Sequence, residues 1–187
     1  PIGQLITSPG FSKVRSTAIS ATPSITAMFD LAPLVSGAFA LFGSSGKAYP
    51  DNANPPVAIV GGTDFATGQD TLVRGDIFDN SFLIAVSNAR NVPQTLTGAY
   101  VKADLGGTPP RGVDYKWFGR RGIMFGPSDG TTTYESLMSF NSANDDEDAW
   151  TAPYSVNFLN FGRTGTDVEV LGGEVFKNFL MTFTQNG

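Results

Sequence analysis

Apolar residues in this chain come in short runs that are separated by residues that favour turns. The clearest run is Phe82–Val86, which is followed by the turn-forming segment Ser87–Pro93 and by the imperfect alternation of Thr95–Val101. A short apolar run bounded by turn residues is typical of a strand buried on both faces, as in the core of a sandwich. The pattern therefore predicts a strand, a turn and a second strand within Asp76–Leu105.

The same pattern predicts further strands on either side. Residues 24–43 are the most apolar part of the chain, and Pro33 divides them into two buried β segments, Ser24–Leu31 and Leu34–Phe42. Burial of part of this surface by another subunit is an alternative, whereas Asp30 near the middle argues against a membrane span. The other predicted strands are Val57–Val60, Thr71–Val73, Val113–Phe118, Ile123–Phe125, Tyr134–Phe140 (or a single helical turn), Tyr154–Phe161 and Thr166–Leu171.

Both ends of the chain allow more than one prediction. Residues 1–23 fit either an extended N-terminal arm that docks on a neighbour or short core strands. Val175–Thr184 matches a helical face and a strand equally well, and its threonines favour the strand. The whole pattern predicts one all-β domain over residues 1–187, a β-sandwich or jelly-roll-like barrel with long Gly/Pro-rich loops and extended termini.

A Phe-Gly-x-x-Gly pattern recurs at residues 42–46, 118–122 and 161–165. Each copy follows an apolar segment, so we interpret the pattern as an aromatic strand end followed by glycines that permit positive φ in a tight turn. The third copy predicts a hairpin in which Gly162–Gly165 joins the two flanking strands. The unequal spacing of the three copies argues against a solenoid or a propeller.

The composition removes the commonest catalytic groups. The chain has Cys 0 and His 0, so thiol chemistry, Cys-based zinc sites and the usual general base are excluded. Its charged fraction of 16% lies below the roughly 25% of an average globular protein. The net charge is −5 and the only adjacent basic pair is Arg120-Arg121, which disfavours nucleic acid and anionic membrane surfaces as partners. The opening Pro-Ile-Gly-Gln-Leu lacks the features of a secretory signal, so we expect synthesis in a cytoplasm.

The sharpest charge cluster is Asn144–Asp148, in which Asp145, Asp146 and Asp148 supply carboxylates. Oxygen ligands this dense can hold Ca²⁺, but the EF-hand spacing is absent. A solvated acidic loop is the favoured interpretation, and a cation site, within one chain or shared between subunits, is the alternative.

Three other motifs have both a functional and a structural interpretation. Arg74-Gly75-Asp76 resembles an integrin-binding tripeptide, but its flanks predict a strand where recognition needs an exposed loop. Gly46-Lys47 lacks the other residues of a phosphate-binding loop. Arg120, Arg121 and Arg163 can pair with the acidic loop of a neighbour or remain solvated.

The aromatic residues also have two interpretations, a sugar-binding groove or filling of the core and interfaces. The residues concerned are Trp117, Trp150, Tyr115, Tyr134 and Tyr154.

These observations predict a non-enzymatic structural subunit of a repeating assembly, in particular a virus or phage particle protein such as a capsid decoration, cement or tail component. The expected partners are further copies of the chain and another particle protein, and the expected location is the virion. We expect no catalytic residue, metal, cofactor or small-molecule substrate. A carbohydrate-binding β module is the first alternative, and a glycoside hydrolase that uses only carboxylates is the second.

Overall fold

A computed structural model describes residues 19, 23–51, 56–150, 158–160 and 168–185, with 158–160 described by their backbone alone. These residues contain thirteen strands in four antiparallel sheets and no helix. The predicted all-β class is therefore confirmed, with open sheets packed on one another rather than a closed barrel. Nothing in the described ranges forms a helix long and apolar enough to cross a membrane. The predicted arm over 1–23 lies almost wholly outside them.

The strands form four sheets in the order of the chain. The first sheet has the order β1-β2-β3, the second β4-β5-β6-β7, the third β11-β10-β9-β8, and the last is the hairpin β12-β13. The bounds are β1 Ile25–Asp30, β2 Phe39–Gly43, β3 Ala48–Pro50, β4 Val73–Phe78, β5 Phe82–Ser87, β6 Gln94–Leu96, β7 Lys102–Asp104, β8 Asp114–Phe118, β9 Arg121–Phe125, β10 Leu137–Phe140, β11 Phe158–Asn160, β12 Val170–Phe176 and β13 Phe179–Thr184.

The strand β5 is buried on both faces, as its unbroken apolar run predicts. Leu83 and Ala85 belong to a core cluster shared with the first sheet, while Ile84 and Val86 belong to a cluster shared with the third sheet. Successive side chains of a strand point to opposite faces, so the second sheet is sandwiched between its two neighbours. This placement explains why no polar residue interrupts the run.

The strand β9 repeats this arrangement one sheet further on. Met124 packs towards the second sheet, whereas Ile123 and Phe125 pack in a third cluster with Val170 of β12 and Leu180 of β13. The hairpin β12-β13 is therefore an outer layer of the stacked sheets. Its inner face is covered by β9 and β10, and its outer face has no sheet over it among the described residues.

Several predicted strands differ from the structure. Ser24–Leu31 contains β1, but most of its side chains are exposed or half-buried, and Leu34–Phe42 begins as a turn before β2 starts at Phe39. Val57–Val60 forms no strand, although Ile59 is buried and its N–H donates to the Ala48 carbonyl at 2.8 Å. Thr95–Val101 is a strand only at Thr95 and Leu96, because the chain turns after β6, and β7 begins beyond the segment at Lys102. The turn is closed by a 3.0 Å hydrogen bond from Thr97 N to Val101 O.

The glycine-rich turns behave as predicted where the structure describes them. Gly119 and Arg120 adopt φ of 60° and 67° in the two-residue turn between β8 and β9, and Gly46 has φ of 77°. The copy at 161–165 and its predicted hairpin lie outside the described residues.

Candidate assembly surface

The C-terminal hairpin presents one apolar face to the core and another to the solvent. The register pairs Phe176 with Phe179 and Glu174 with Met181, and Lys177 with φ of 56° begins the tight turn. Along β13 the odd-numbered residues are exposed and the even-numbered residues are half-buried. This strict alternation separates two faces with different roles.

The inner face of the hairpin fits closely against the third sheet. Leu180 packs in the third core cluster, and the Thr182 hydroxyl donates to the Met138 sulfur at 3.7 Å. Gly173 leaves room for Phe125, because a Cβ at that position would lie 2.5 Å from the Phe125 Cζ. The hairpin is thus held in place by the packing of its inner face.

The outer face of the hairpin carries an unusual amount of exposed aromatic surface. Phe179, Phe176, Phe183 and Met181 are 70%, 58%, 53% and 44% exposed. Single exposed apolar residues are ordinary, but a contiguous group of large ones marks an interaction surface. We call these four residues the hairpin face.

A groove of about 470 Å³ lies beside the hairpin face. Met28 of β1, which is 65% exposed, lines it together with Phe183 of β13. Arg74, Lys116 and Glu174 contribute charged groups, and the last two form an ion pair of 3.1 Å.

Two carboxylates near this groove hold the edges of three sheets together. Asp76 of β4 accepts hydrogen bonds from Trp117 N of β8 at 3.0 Å and from Ile77 N at 2.8 Å. Asp114 of β8 accepts from Gly173 N of β12 at 3.1 Å and from Tyr115 N at 2.8 Å. Each aspartate therefore accepts one hydrogen bond from the N–H of the next residue in the chain and one from a strand of the adjoining sheet.

Burial raises the pKa of both aspartates above the ordinary value of 3.8. The hydrogen bonds from Trp117 and Ile77 partly oppose the rise in the pKa of Asp76. For Asp114 the largest opposing effect is the positive charge of Lys116. Each of the four carboxylate oxygens accepts a backbone N–H. Both carboxylates therefore join neighbouring strands.

The tripeptide Arg74-Gly75-Asp76 lies within β4 and not at a loop tip. The Arg74 guanidinium is exposed but donates to the Leu171 carbonyl at 2.5 Å. Asp76 is half-buried and its carboxylate is occupied by the two backbone N–H groups. Arg74 and Asp76 thus join neighbouring sheets.

The acidic loop is tied to its own chain. Arg120 forms an ion pair with Asp145, with an Nε–Oδ2 distance of 2.7 Å, and Arg121 donates to the Asn141 carbonyl at 2.7 Å. The buried Asn141 amide donates to the Asp146 carbonyl at 2.7 Å. Among the described residues no three acids are grouped so that they could hold a metal ion. Arg163 lies outside those residues.

Three of the five aromatic residues that suggested a sugar-binding groove lie in the core or pack against it. Tyr115 and Trp150 are buried in the second core cluster, where Trp117 packs against Phe78 with ring centroids 4.4 Å apart. Tyr134 is half-buried, and Tyr154 lies outside the described residues. Tyr115, Trp117 and Trp150 therefore follow the alternative interpretation, in which they fill the core.

Sequence reasoning missed the hairpin face and the roles of Asp76 and Asp114 in joining the sheets. The signal for the face was the spacing Phe179, Met181 and Phe183, which fits a strand with one apolar side. No family model, curated protein or solved structure matches the chain.

Proposed function

We propose that this protein is a non-enzymatic structural subunit of a repeating assembly. The observation that carries the proposal is the hairpin face, an outer strand pair whose exposed side bears three phenylalanines and a methionine. Such a surface in a chain with only 16% charged residues is suited to burial against another protein.

The size of the hairpin face indicates how it would be used. Three roughly half-exposed phenylalanine rings offer about 100 Å² each, which corresponds to about 7.5 kcal/mol at about 25 cal/mol per Å². The cost of association is about 4–15 kcal/mol, so one such contact alone gives weak binding. In a repeating assembly each subunit makes several contacts, and once one has formed the others form at a high effective concentration. Contacts that are weak individually can therefore hold the assembly together.

A virus or phage particle is the setting that we propose for the assembly. The net charge of −5 and the scattered basic residues suit an outer position better than one that faces nucleic acid. In this setting the chain is a decoration, cement or tail component, made in the host cytoplasm and located in the virion. Its partners are further copies of itself and another particle protein.

The purified chain tests the assembly hypothesis. Native mass spectrometry and electron microscopy across a range of concentrations should show oligomers that grow as concentration rises. The double variant Phe179→Ser with Phe183→Ser should need at least about tenfold more protein to assemble, since about 1.4 kcal/mol corresponds to tenfold in an equilibrium constant.

A matched control separates the loss of the hairpin face from the general effect of replacing an exposed apolar residue by serine. Val60→Ser removes an apolar side chain that is 87% exposed in a loop away from the hairpin, and it should assemble as the unmodified chain does. Circular dichroism should show that all variants remain folded. A strictly monomeric chain at every concentration would overturn the proposal.

Carbohydrate binding is the second candidate, and the groove favours it. There the Phe183 ring lies beside Arg74, Lys116 and Glu174, a combination of apolar surface and hydrogen-bonding groups that suits small polar ligands. Sugar-competed binding by the isolated monomer on a glycan array would support this candidate over the first.

A further inference from the structure

The strand β13 has one open edge. It pairs with β12 on one side and has no strand on the other among the described residues. The opposite edge of the hairpin is closed by side chains, because Asp114 accepts from Gly173 N and Arg74 donates to Leu171 O. Alternate N–H and C=O groups along β13 therefore point towards a partner that the hairpin itself does not supply.

The other sheet edges carry the features by which proteins prevent edge-to-edge pairing, whereas β13 carries none. Charged side chains, a proline and short length all discourage an added strand. From Phe179 to Gln185 the chain contains neither a charge nor a proline. The features on the other edges are Asp30 of β1, Pro50 of β3, Arg74 and Asp76 of β4, Lys102 and Asp104 of β7, Asp114 and Lys116 of β8, and the three-residue length of β11.

The side chains of β13 are also complementary to themselves. The exposed residues read Phe179, Met181 and Phe183, which is the same pattern in both directions about Met181. In an antiparallel pair, directly opposed residues lie on the same face of the sheet. Only registers in which odd-numbered residues oppose odd-numbered residues keep both apolar faces on one side, since a one-residue slip turns every side chain over.

We propose that β13 pairs antiparallel with β13 of a second copy across a twofold axis at Met181. Among the registers that keep the apolar faces together, this one, with an overlap from Phe179 to Phe183, gives every exposed residue of β13 an exposed partner. It places Phe179 opposite Phe183 of the partner subunit and Met181 opposite Met181 of the partner subunit. The neutral strand allows this approach in spite of the net charge of −5.

The pairing joins the two hairpins into one four-stranded sheet with a doubled hairpin face. That face is then available to the next subunit or to another particle protein. The inference rests on the proposed function, because it names the partner and the register for the same surface.

Single cysteines test the register, because the chain has Cys 0 and each variant then has one thiol. Residues directly opposed in an antiparallel pair have Cα atoms about 4.5–5.5 Å apart, within the range of a disulfide. Met181→Cys should therefore form a covalent dimer on mild oxidation. Phe179→Cys should not, because its own copy across the axis is displaced by four residues, or about 13 Å along the strand.

Mixtures and a charge variant complete the test. Phe179→Cys mixed with Phe183→Cys should give the mixed covalent dimer in preference to either self-linked dimer. Met181→Lys places two like charges opposite each other and should weaken dimerisation at least about tenfold. Phe176→Lys puts the same charge on the same face but on β12, and its effect should be smaller.

The outcomes separate the two proposals. If oligomers form but Met181→Cys is linked no better than Phe179→Cys, or Met181→Lys dimerises normally, the pairing is wrong and the assembly function stands. If the unmodified chain is monomeric at every concentration and Met181→Cys stays unlinked, both proposals are wrong.

Discussion

The Asp76 carboxylate accepts a 3.0 Å hydrogen bond from the Trp117 backbone N–H, and this contact joins the edges of the second and third sheets. The edge strands β4 and β8 lie side by side here without a backbone ladder between them. A side chain therefore supplies the acceptor that an adjoining strand would otherwise provide. Asp114 repeats the device one strand further on, towards β12.

Removing the Asp76 carboxylate should destabilise the fold. Asp76→Ala leaves the N–H groups of Trp117 and Ile77 without their acceptor in a half-buried site, so we expect a loss of about 1–3 kcal/mol in the free energy of unfolding. Urea unfolding measures this loss. Asp70→Ala, which removes an exposed loop carboxylate, should change stability by less than about 0.5 kcal/mol. Equal losses for the two variants would contradict the structural role of Asp76.

The stability of the fold should depend on the protonation of Asp114. Burial raises its pKa above the ordinary 3.8, so the folded state binds this proton more tightly than the unfolded state. The contribution of Asp114 to stability therefore falls as pH rises from 3.8 through the raised pKa, and it is constant above that value. Relative to Asp114→Asn, the unmodified protein should gain stability as pH is lowered from neutral through this window.

Urea unfolding of both proteins at a series of pH values measures the gain. The same series for Asp70→Asn gives the background of an exposed acid. A stability difference between the unmodified protein and Asp114→Asn that does not change with pH would mean that the carboxylate titrates alike in both states.

The buried centre of the fold could be predicted from local sequence, because a strand that is buried on both faces consists of consecutive apolar residues. Phe82–Val86 is an unbroken apolar run since one set of side chains faces the first sheet and the other faces the third. The turn at 118–122 was equally readable, because positive φ at Gly119 is a local requirement that glycine meets.

Features that depend on distant partners could not be predicted in this way. Thr95–Val101 looks like one strand, but Tyr100 adopts φ of 59° and its hydroxyl donates to Asp51 at 2.7 Å. Lys102 looks like a solvated strand end, but it is buried and its ammonium lies 2.5 Å from the Asp64 carboxylate. Neither partner is marked by anything near it in the sequence.

The candidate assembly surface could be predicted only in part, because it depends on both local sequence and distant partners. The residues from Val175 to Thr184 were predicted as one strand, and the structure forms the end of β12, a turn at Lys177-Asn178, and β13. The apolar pattern gives the alternation of β13, but it cannot tell which apolar side faces the core. That choice is made by Leu180 and Thr182, which meet the third sheet.

The acidic loop should be insensitive to calcium. The Asp145 carboxylate is occupied by the Arg120 guanidinium, and Asp146 Oδ1 accepts from Asp148 N at 3.2 Å. Millimolar Ca²⁺ or EDTA should therefore leave the melting temperature unchanged in differential scanning fluorimetry. A saturable rise in melting temperature with Ca²⁺, abolished by Asp145→Asn, would contradict this prediction and restore the cation site.

The contact between Gly173 and Phe125 should be needed to seat the hairpin. A Cβ at residue 173 would lie 2.5 Å from the Phe125 Cζ and 2.8 Å from the Met181 carbonyl oxygen. Phe125 is fully buried, so its ring has little room to move, and Gly173→Ala should cost about 1–3 kcal/mol through overpacking.

A double-mutant cycle with Phe125→Leu assigns the cause of that loss. The smaller side chain makes room for the added methyl group, so the double variant should be more stable than the sum of the single losses predicts. Gly37→Ala is the control. Its φ of 72° makes the added methyl group costly through backbone strain, but a Cβ there meets nothing within 4 Å, so its loss should add to that of Phe125→Leu. Additive losses for Gly173→Ala and Phe125→Leu would show that the added methyl group does not act through Phe125.

If the two losses are coupled, Gly173→Ala should also raise the protein concentration needed for assembly. A displaced hairpin moves Met181 and its neighbours away from the position that a second copy must meet.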